Sequence, residues 1–168
     1  MSAKPKVKDL IPELGAPHER LGVFVGKWHA KGDSYAAGQI KDNPRAVIEK
    51  WISDETFEWL PGKFFIMQRW DAKTGANEFN GIAIISFDAE TGNYVTRSYE
   101  NHGFIRDYVT RVDGDVWTFT GKSERARVEF SDGGATQSIT WEWKPDGKTW
   151  LPLCDRTAKR VAKVKIAA

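Results

Sequence analysis

The feature that most constrains this chain is its punctuation, because turn-forming clusters recur about every ten residues along most of its length. They fall at residues 38–44, at Leu60-Pro61-Gly62, at residues 71–76 and 88–92, and at Asp113-Gly114, Asp132-Gly133-Gly134 and Pro145-Asp146-Gly147. Between them lie runs rich in β-branched and aromatic side chains, the composition that suits a pleated, half-buried surface. About ten strands are predicted on this pattern, near residues 28–36, 45–57, 63–71, 78–87, 93–101, 104–112, 115–122, 124–131, 135–144 and 148–159. Asp113-Gly114 is the cleanest turn, since a tight hairpin there needs positive φ. No connection is long enough for a crossover helix, so the strands should pair antiparallel and in sequence. An open sheet of that size exposes two edges and accumulates twist, and closing it removes both problems. The predicted fold is therefore all-β, an up-and-down antiparallel barrel, preferred over a sandwich. Barrels beyond about eight strands enclose space that side chains do not fill.

Closure needs a stopper, and the segment before the first strand supplies one. Leu21, Phe24 and Val25 recur at helical spacing between Pro17 and Gly26, which predicts a short helix over residues 18–25. Gly26-Lys27-Trp28 follows, with Trp28 expected to fill the core and seal the end that the helix plugs. The chain divides on this reading into an extended leader (1–16), one barrel domain (17–161) and a short tail (162–168).

Composition narrows the function classes. Across 168 residues, 25 Lys and Arg offset 23 Asp and Glu, and the positive charge is dispersed. That argues against nucleic acid, whose partners concentrate charge on one face. Lys4, Lys6 and Lys8, and Lys159, Arg160, Lys163 and Lys165, read as solvated tails. A single cysteine, Cys154, forbids an internal disulfide and reads as a small packed hydrophobe in a reducing compartment. No apolar run approaches a membrane span or a secretory signal, so a cytoplasmic location without a membrane partner is expected.

Strand parity proposes what the interior holds. Arg97 and Tyr99 share a strand face, and Arg106 with Tyr108 repeats the spacing on the next strand. An arginine fork with a tyrosine hydroxyl suits a carboxylate, while the alternative places such pairs outside as cross-strand partners of Glu100 or Asp107. Gln68 and Trp70 share another face, and Trp141 and Trp143 a third. Eight tryptophans would suit a flat or hydrophobic ligand if several line the cavity, whereas any facing outwards would suggest a homodimer through the barrel wall.

Several segments carry a family resemblance. Pro17-His18-Glu19-Arg20-Leu21, Val25-Gly26-Lys27-Trp28, residues 58–65, Gln68-Arg69-Trp70, residues 87–94 and residues 113–119 together resemble the bacterial domain-of-unknown-function family number 1579. The resemblance implies a calycin-like barrel, the architecture of lipocalins, fatty-acid-binding proteins and nitrobindins, and brings no established activity. The nitrobindins ligate haem through a histidine close to the C-terminus, and residues 148–168 contain none.

Catalytic signatures are sparse. Phosphate loops, paired cysteines and closely spaced histidine pairs are all missing, so neither a cofactor nor a metal is expected. Of the three histidines, His18 opens the helix, His29 follows Trp28, and His102 sits in a turn between Glu100 and Asp107, where a carboxylate could hold its tautomer. The first reading is a binder of a small hydrophobic or amphiphilic molecule, with Gln68, Trp70, Arg97, Tyr99, His102, Tyr108, Trp117 and Trp141 as ligand-binding candidates. The alternatives are an acid–base enzyme (isomerase, cyclase or hydrolase) working through His102, and a barrel packed solid as a structural or interaction module.

Overall fold

The structure is a computed structural model that describes residues 12–161. Residues 1–11 and 162–168 lie outside the described part, and with them most of the expected leader, the tail and the basic residues Lys4, Lys6, Lys8, Lys163 and Lys165.

Ten strands form among the described residues: β1 (Gly26–Ser34), β2 (Glu49–Trp59), β3 (Phe65–Thr74), β4 (Asn77–Asp88), β5 (Asn93–Glu100), β6 (Ile105–Asp113), β7 (Val116–Thr120), β8 (Glu124–Ser131), β9 (Thr136–Trp143) and β10 (Leu151–Arg160). Each pairs with the next, and β1 returns to pair antiparallel with β10, so the sheet is a closed barrel. The fold expected from the turn spacing is the one observed.

Three boundaries differ from expectation, each for a local reason. The β6–β7 turn is Gly114-Asp115, because Asp113 still pairs with Val116 and Gly114 alone takes the left-handed conformation. The β1–β2 connection runs longer, through residue 48, and β10 starts at Leu151 instead of 148. Both longer connections lie at the same end of the barrel, where they shape its mouth. The helix begins earlier than expected, as α1 (Ala16–Arg20), and tightens into a 3-10 turn at Leu21–Val23. Pro17 stands within its first turn, where a missing N–H costs nothing.

This segment stoppers the other end. Leu21 is fully buried, and the Phe24 ring packs against Phe57, Trp117, Phe119 and Phe130 at centroid distances of 4.9 to 6.3 Å. Trp28 Nε1 donates to the Phe24 carbonyl at 2.8 Å, which ties the first strand to the last turn of the plug. Buried His18 sits edge-on to Phe64 and Phe87 and accepts the Gly15 N–H at Nδ1, while the Tyr94 hydroxyl donates to the Pro17 carbonyl. His18 is thus part of the plug's packing.

Arg160 corrects the reading of the C-terminal basic residues as solvated tail. It ends β10 opposite Trp28, its guanidinium lies 4.3 Å from the indole centroid, and it donates to the carbonyls of Val23, Val25 and Gly134. Those carbonyls belong to backbone without ladder partners, so a charged donor there satisfies acceptors the turn leaves open. Gly26 is required at the same joint: its φ is +139°, and a Cβ would stand 2.6 Å from the Arg160 guanidinium. Lys159, also read as tail, pairs with Thr136 and Asp132 on the outside of β10.

Candidate functional site

Above the plug, the barrel contains a cavity of about 530 Å³. Its floor is Phe24, Phe57 and Phe119, and its walls carry Trp51, Trp70, Phe79, Tyr108 and Trp141 among aliphatic side chains. That volume lies within the range of small-molecule sites. The reading of a barrel packed solid is therefore set aside by the interior itself.

The β1–β2 connection covers part of the mouth, and Ala36 and Ala37 line the cavity from above. Gln39 holds this connection down: its Nε2 donates to the Pro44 and Pro152 carbonyls, and its Oε1 accepts the Trp143 indole N–H at 2.9 Å. Beside it the Tyr35 hydroxyl and Arg45 both donate to Asp155 Oδ2.

Two ion pairs stand on the inner wall. Glu55, 6% exposed, accepts from Ser53 Oγ (3.0 Å), Gln68 Nε2 (3.0 Å) and Arg156 Nη1 (3.4 Å), and the Arg156 guanidinium lies 4.7 Å from the Trp51 centroid. Across the cavity Arg106 bonds Glu124 at 2.9 Å, and the Tyr108 hydroxyl donates to the same carboxylate at 3.0 Å. Burial, reinforced by that neighbouring carboxylate, raises the Tyr108 pKa so far that the phenol stays protonated. Burial likewise pushes the Cys154 thiol up, so Cys154 is a cavity-wall hydrophobe and no nucleophile.

The structure brings together four of the candidate residues and separates the rest. Gln68, Trp70, Tyr108 and Trp141 all line the cavity. Trp117 is buried beneath it, against Phe24 and Tyr94. Arg97 and Tyr99 lie on the outer wall, which corrects their reading as interior anchors: Arg97 reaches Asp107 at 3.6 Å, and the Tyr99 residue is 41% exposed. The reason is register. Arg97 pairs with Asp107 whereas Ser98 pairs with Arg106, so the two Arg-x-Tyr pairs have opposite parity and only Arg106-x-Tyr108 can face in.

His102 stands at the mouth, its ring 5.1 Å from that of Phe79, with Nδ1 and its backbone N–H both against Glu100 Oε1. Its side chain is 45% exposed, while that of Glu100 is 11% exposed and lines the cavity. His29 bonds Asp54 outside, at 2.8 Å. Among the described residues no group of His, Cys, Asp and Glu is arranged to hold a metal, and no helix is long and apolar enough to cross a membrane.

Sequence reasoning missed Glu55, Gln137 and Arg156. One signal for Glu55 was available: it shares strand parity with Ser53 and Phe57, a carboxylate on the face that carries the core aromatic.

The comparisons with known proteins bear on the fold. The barrel is similar to the crystal structure of Rv2717c from M. tuberculosis, with 13% identity and a TM-score of 0.62 over 89% of this chain and 100% of that one. It is also similar to the S-type phycobiliprotein lyase CPES from Guillardia theta, with 11% identity and a TM-score of 0.59 over 89% of this chain and 94% of that one. At such identity the likeness is one of architecture. No curated protein matches the sequence. The family model described as "Protein of unknown function (DUF1579)" matches residues 13–146, most of the stoppered barrel, and the chain belongs to that family.

Proposed function

We propose that this protein binds a small, largely apolar molecule with a few polar groups inside its barrel. The observation that carries the reading is the cavity of about 530 Å³, aromatic-walled, floored by the plug and lined by the Glu55–Arg156 and Arg106–Glu124 pairs. Such a site combines apolar area for affinity with a few fixed polar groups for orientation. Gln68, Trp70, Tyr108 and Trp141 are its wall residues among the original candidates, and Trp28 is the closing residue. The likeness to the phycobiliprotein lyase supports the reading as one of barrel architecture. A calycin-like kinship belongs to the same proposal, as does a homodimer seam along the outer faces of β5 and β6, where Val95, Tyr99 and Val109 are exposed.

Native mass spectrometry of the purified protein tests it. A retained small molecule, released when Ser98→Trp fills the cavity, is the expected result. A bare protein that also fails to take up any member of an apolar ligand library, by tryptophan quenching, would overturn it.

The His102–Glu100 contact favours a second reading, acid–base turnover at the mouth, because a carboxylate that fixes the imidazole tautomer prepares it for proton transfer. Recovered ligand that is converted to a new species on incubation with the native protein, and not with His102→Gln, would establish it, read by chromatographic retention and NMR as well as by mass because isomerisation and cyclisation leave the mass unchanged. A ligand unchanged by all three would leave simple binding.

A further inference from the structure

The cavity wall formed by β9 and β10 carries a pattern that specifies more than size. Three side-chain N–H groups on it are buried and have no protein partner: Gln137 Nε2, Trp141 Nε1 and Arg156 Nε. Gln137 is only 3% exposed, and all three residues line the cavity. The register gathers them, because Arg156 stands opposite Ile139 while Gln137 and Trp141 flank Ile139 on the same face of β9. Buried donors without acceptors are costly, so a site that leaves three on one patch is matched to a ligand that brings acceptor oxygen there.

Charge decides which acceptor. The residues lining the cavity include four carboxylates, Glu49, Glu55, Glu100 and Glu124, and two guanidinium groups, Arg106 and Arg156. Each guanidinium is already paired, Arg156 with Glu55 and Arg106 with Glu124. A ligand carboxylate set against Gln137 and Arg156 would share Arg156 with Glu55 and lie in an interior that already carries excess negative charge. Desolvating a further anion there without its own counter-charge is unfavourable. A neutral carbonyl takes the same donors without that penalty.

We propose that the ligand is an uncharged, flat, apolar molecule bearing a carbonyl group, and that this wall of donors, Gln137, Trp141 and Arg156, is where its oxygen lies. This rests on the interior-binding reading and narrows it, against the fatty-acid-like carboxylate that an Arg-Tyr pair would suggest.

Three probes of one skeleton test it: 2-acetylnaphthalene (ketone), 2-naphthoate (carboxylate) and 2-ethylnaphthalene (no acceptor), titrated into the full chain by isothermal calorimetry at neutral pH. The expected result is a Kd for the ketone about tenfold below that of either other probe, the size of effect one or two net hydrogen bonds give. Gln137→Leu, close in volume, and Trp141→Phe, which keeps an aromatic ring without the N–H, should each reduce that preference, taken as the ratio of the ketone and 2-ethylnaphthalene Kd values within the same variant, to about threefold or less. Circular dichroism shows whether each variant folds, and the preference in the native protein decides the matter even if one does not. Equal binding of the three, or tightest binding of the naphthoate, would overturn the inference and leave the interior-binding reading intact. Failure of all three to bind would overturn the inference too, while that reading is judged separately by native mass spectrometry.

Discussion

Arg160→Met removes one cation from the plug joint and leaves a side chain long enough to keep covering Trp28. The guanidinium donates to the Val23, Val25 and Gly134 carbonyls, so the substitution withdraws three charge-assisted hydrogen bonds at once. Hydrogen bonds to charged groups contribute roughly 1.5–3 kcal/mol each net. Burial lowers the Arg160 pKa, so the cation pays a desolvation penalty of its own, and water can reach part of the joint and replace part of what is lost. Allowing for both, we expect a net loss of about 2–3 kcal/mol, in the upper range for a single substitution. For a domain of this size that lowers the melting temperature by roughly 4–12 °C. Circular dichroism melts of the native protein, Arg160→Met and the control Lys159→Met measure it, and the control should move by less than about 1 °C because its ion pairs are exposed. Hydrogen exchange should place the loosening at residues 22–26. A melting temperature within about 1 °C of native for Arg160→Met would refute the argument that this arginine ties the plug to the last strand.

The other predictions use the same geometry. Gly26→Ala puts a Cβ against the Arg160 guanidinium and strains a φ of +139°, and should cost at least as much as Arg160→Met in the same melts. Glu55→Leu strands the Arg156 cation on the inner wall and should destabilise by about 3 kcal/mol, whereas the double variant Glu55→Leu/Arg156→Met should recover most of that in urea titrations. At the β9–β10 hairpin, Asp146 accepts the backbone N–H groups of Thr149 and Lys148, which lowers its pKa from the ordinary range to about 2. Because the folded-state value is the depressed one, the turn's stabilisation is complete above about pH 4 and lost as pH falls through about 2. A carboxyl-carbon NMR titration should place the Asp146 midpoint there, and a midpoint near 4 would contradict the cap.

How far the sequence could be read follows from what the inside of this barrel is made of. Turn residues and β-branched runs are local signals, so strand number, order and closure were legible, and most boundaries fell within a few residues. Side-chain direction is not local here. On β5 the inward face carries Thr96, Ser98 and Glu100 beside Tyr94 while the outward face includes Val95, Arg97 and Tyr99, so polarity alone does not tell the two faces apart. A partly polar interior removes the alternation on which parity assignment depends. Gln68, Trp70, Tyr108 and Trp141 were reachable because aromatic or amide side chains beside core residues mark a wall. Arg156 was not, since it acquires its meaning from Glu55 on another strand, and Gln137 was not, since nothing beside it in the sequence marks it as facing the cavity. Arg160 was misread because a basic residue near the C-terminus is usually solvated, and only the register places it over Trp28.

The account depends on ligand being inside the barrel instead of on its wall, and intermolecular NOEs from bound 2-acetylnaphthalene to assigned methyl groups test that most directly. Ala83, Ile85 and Ile139 line the interior, while Ile84, Val95 and Val109 line the outer face of β4 to β6. Contacts to the first set alone are predicted. Contacts confined to the second set would contradict the claim that this protein works from within.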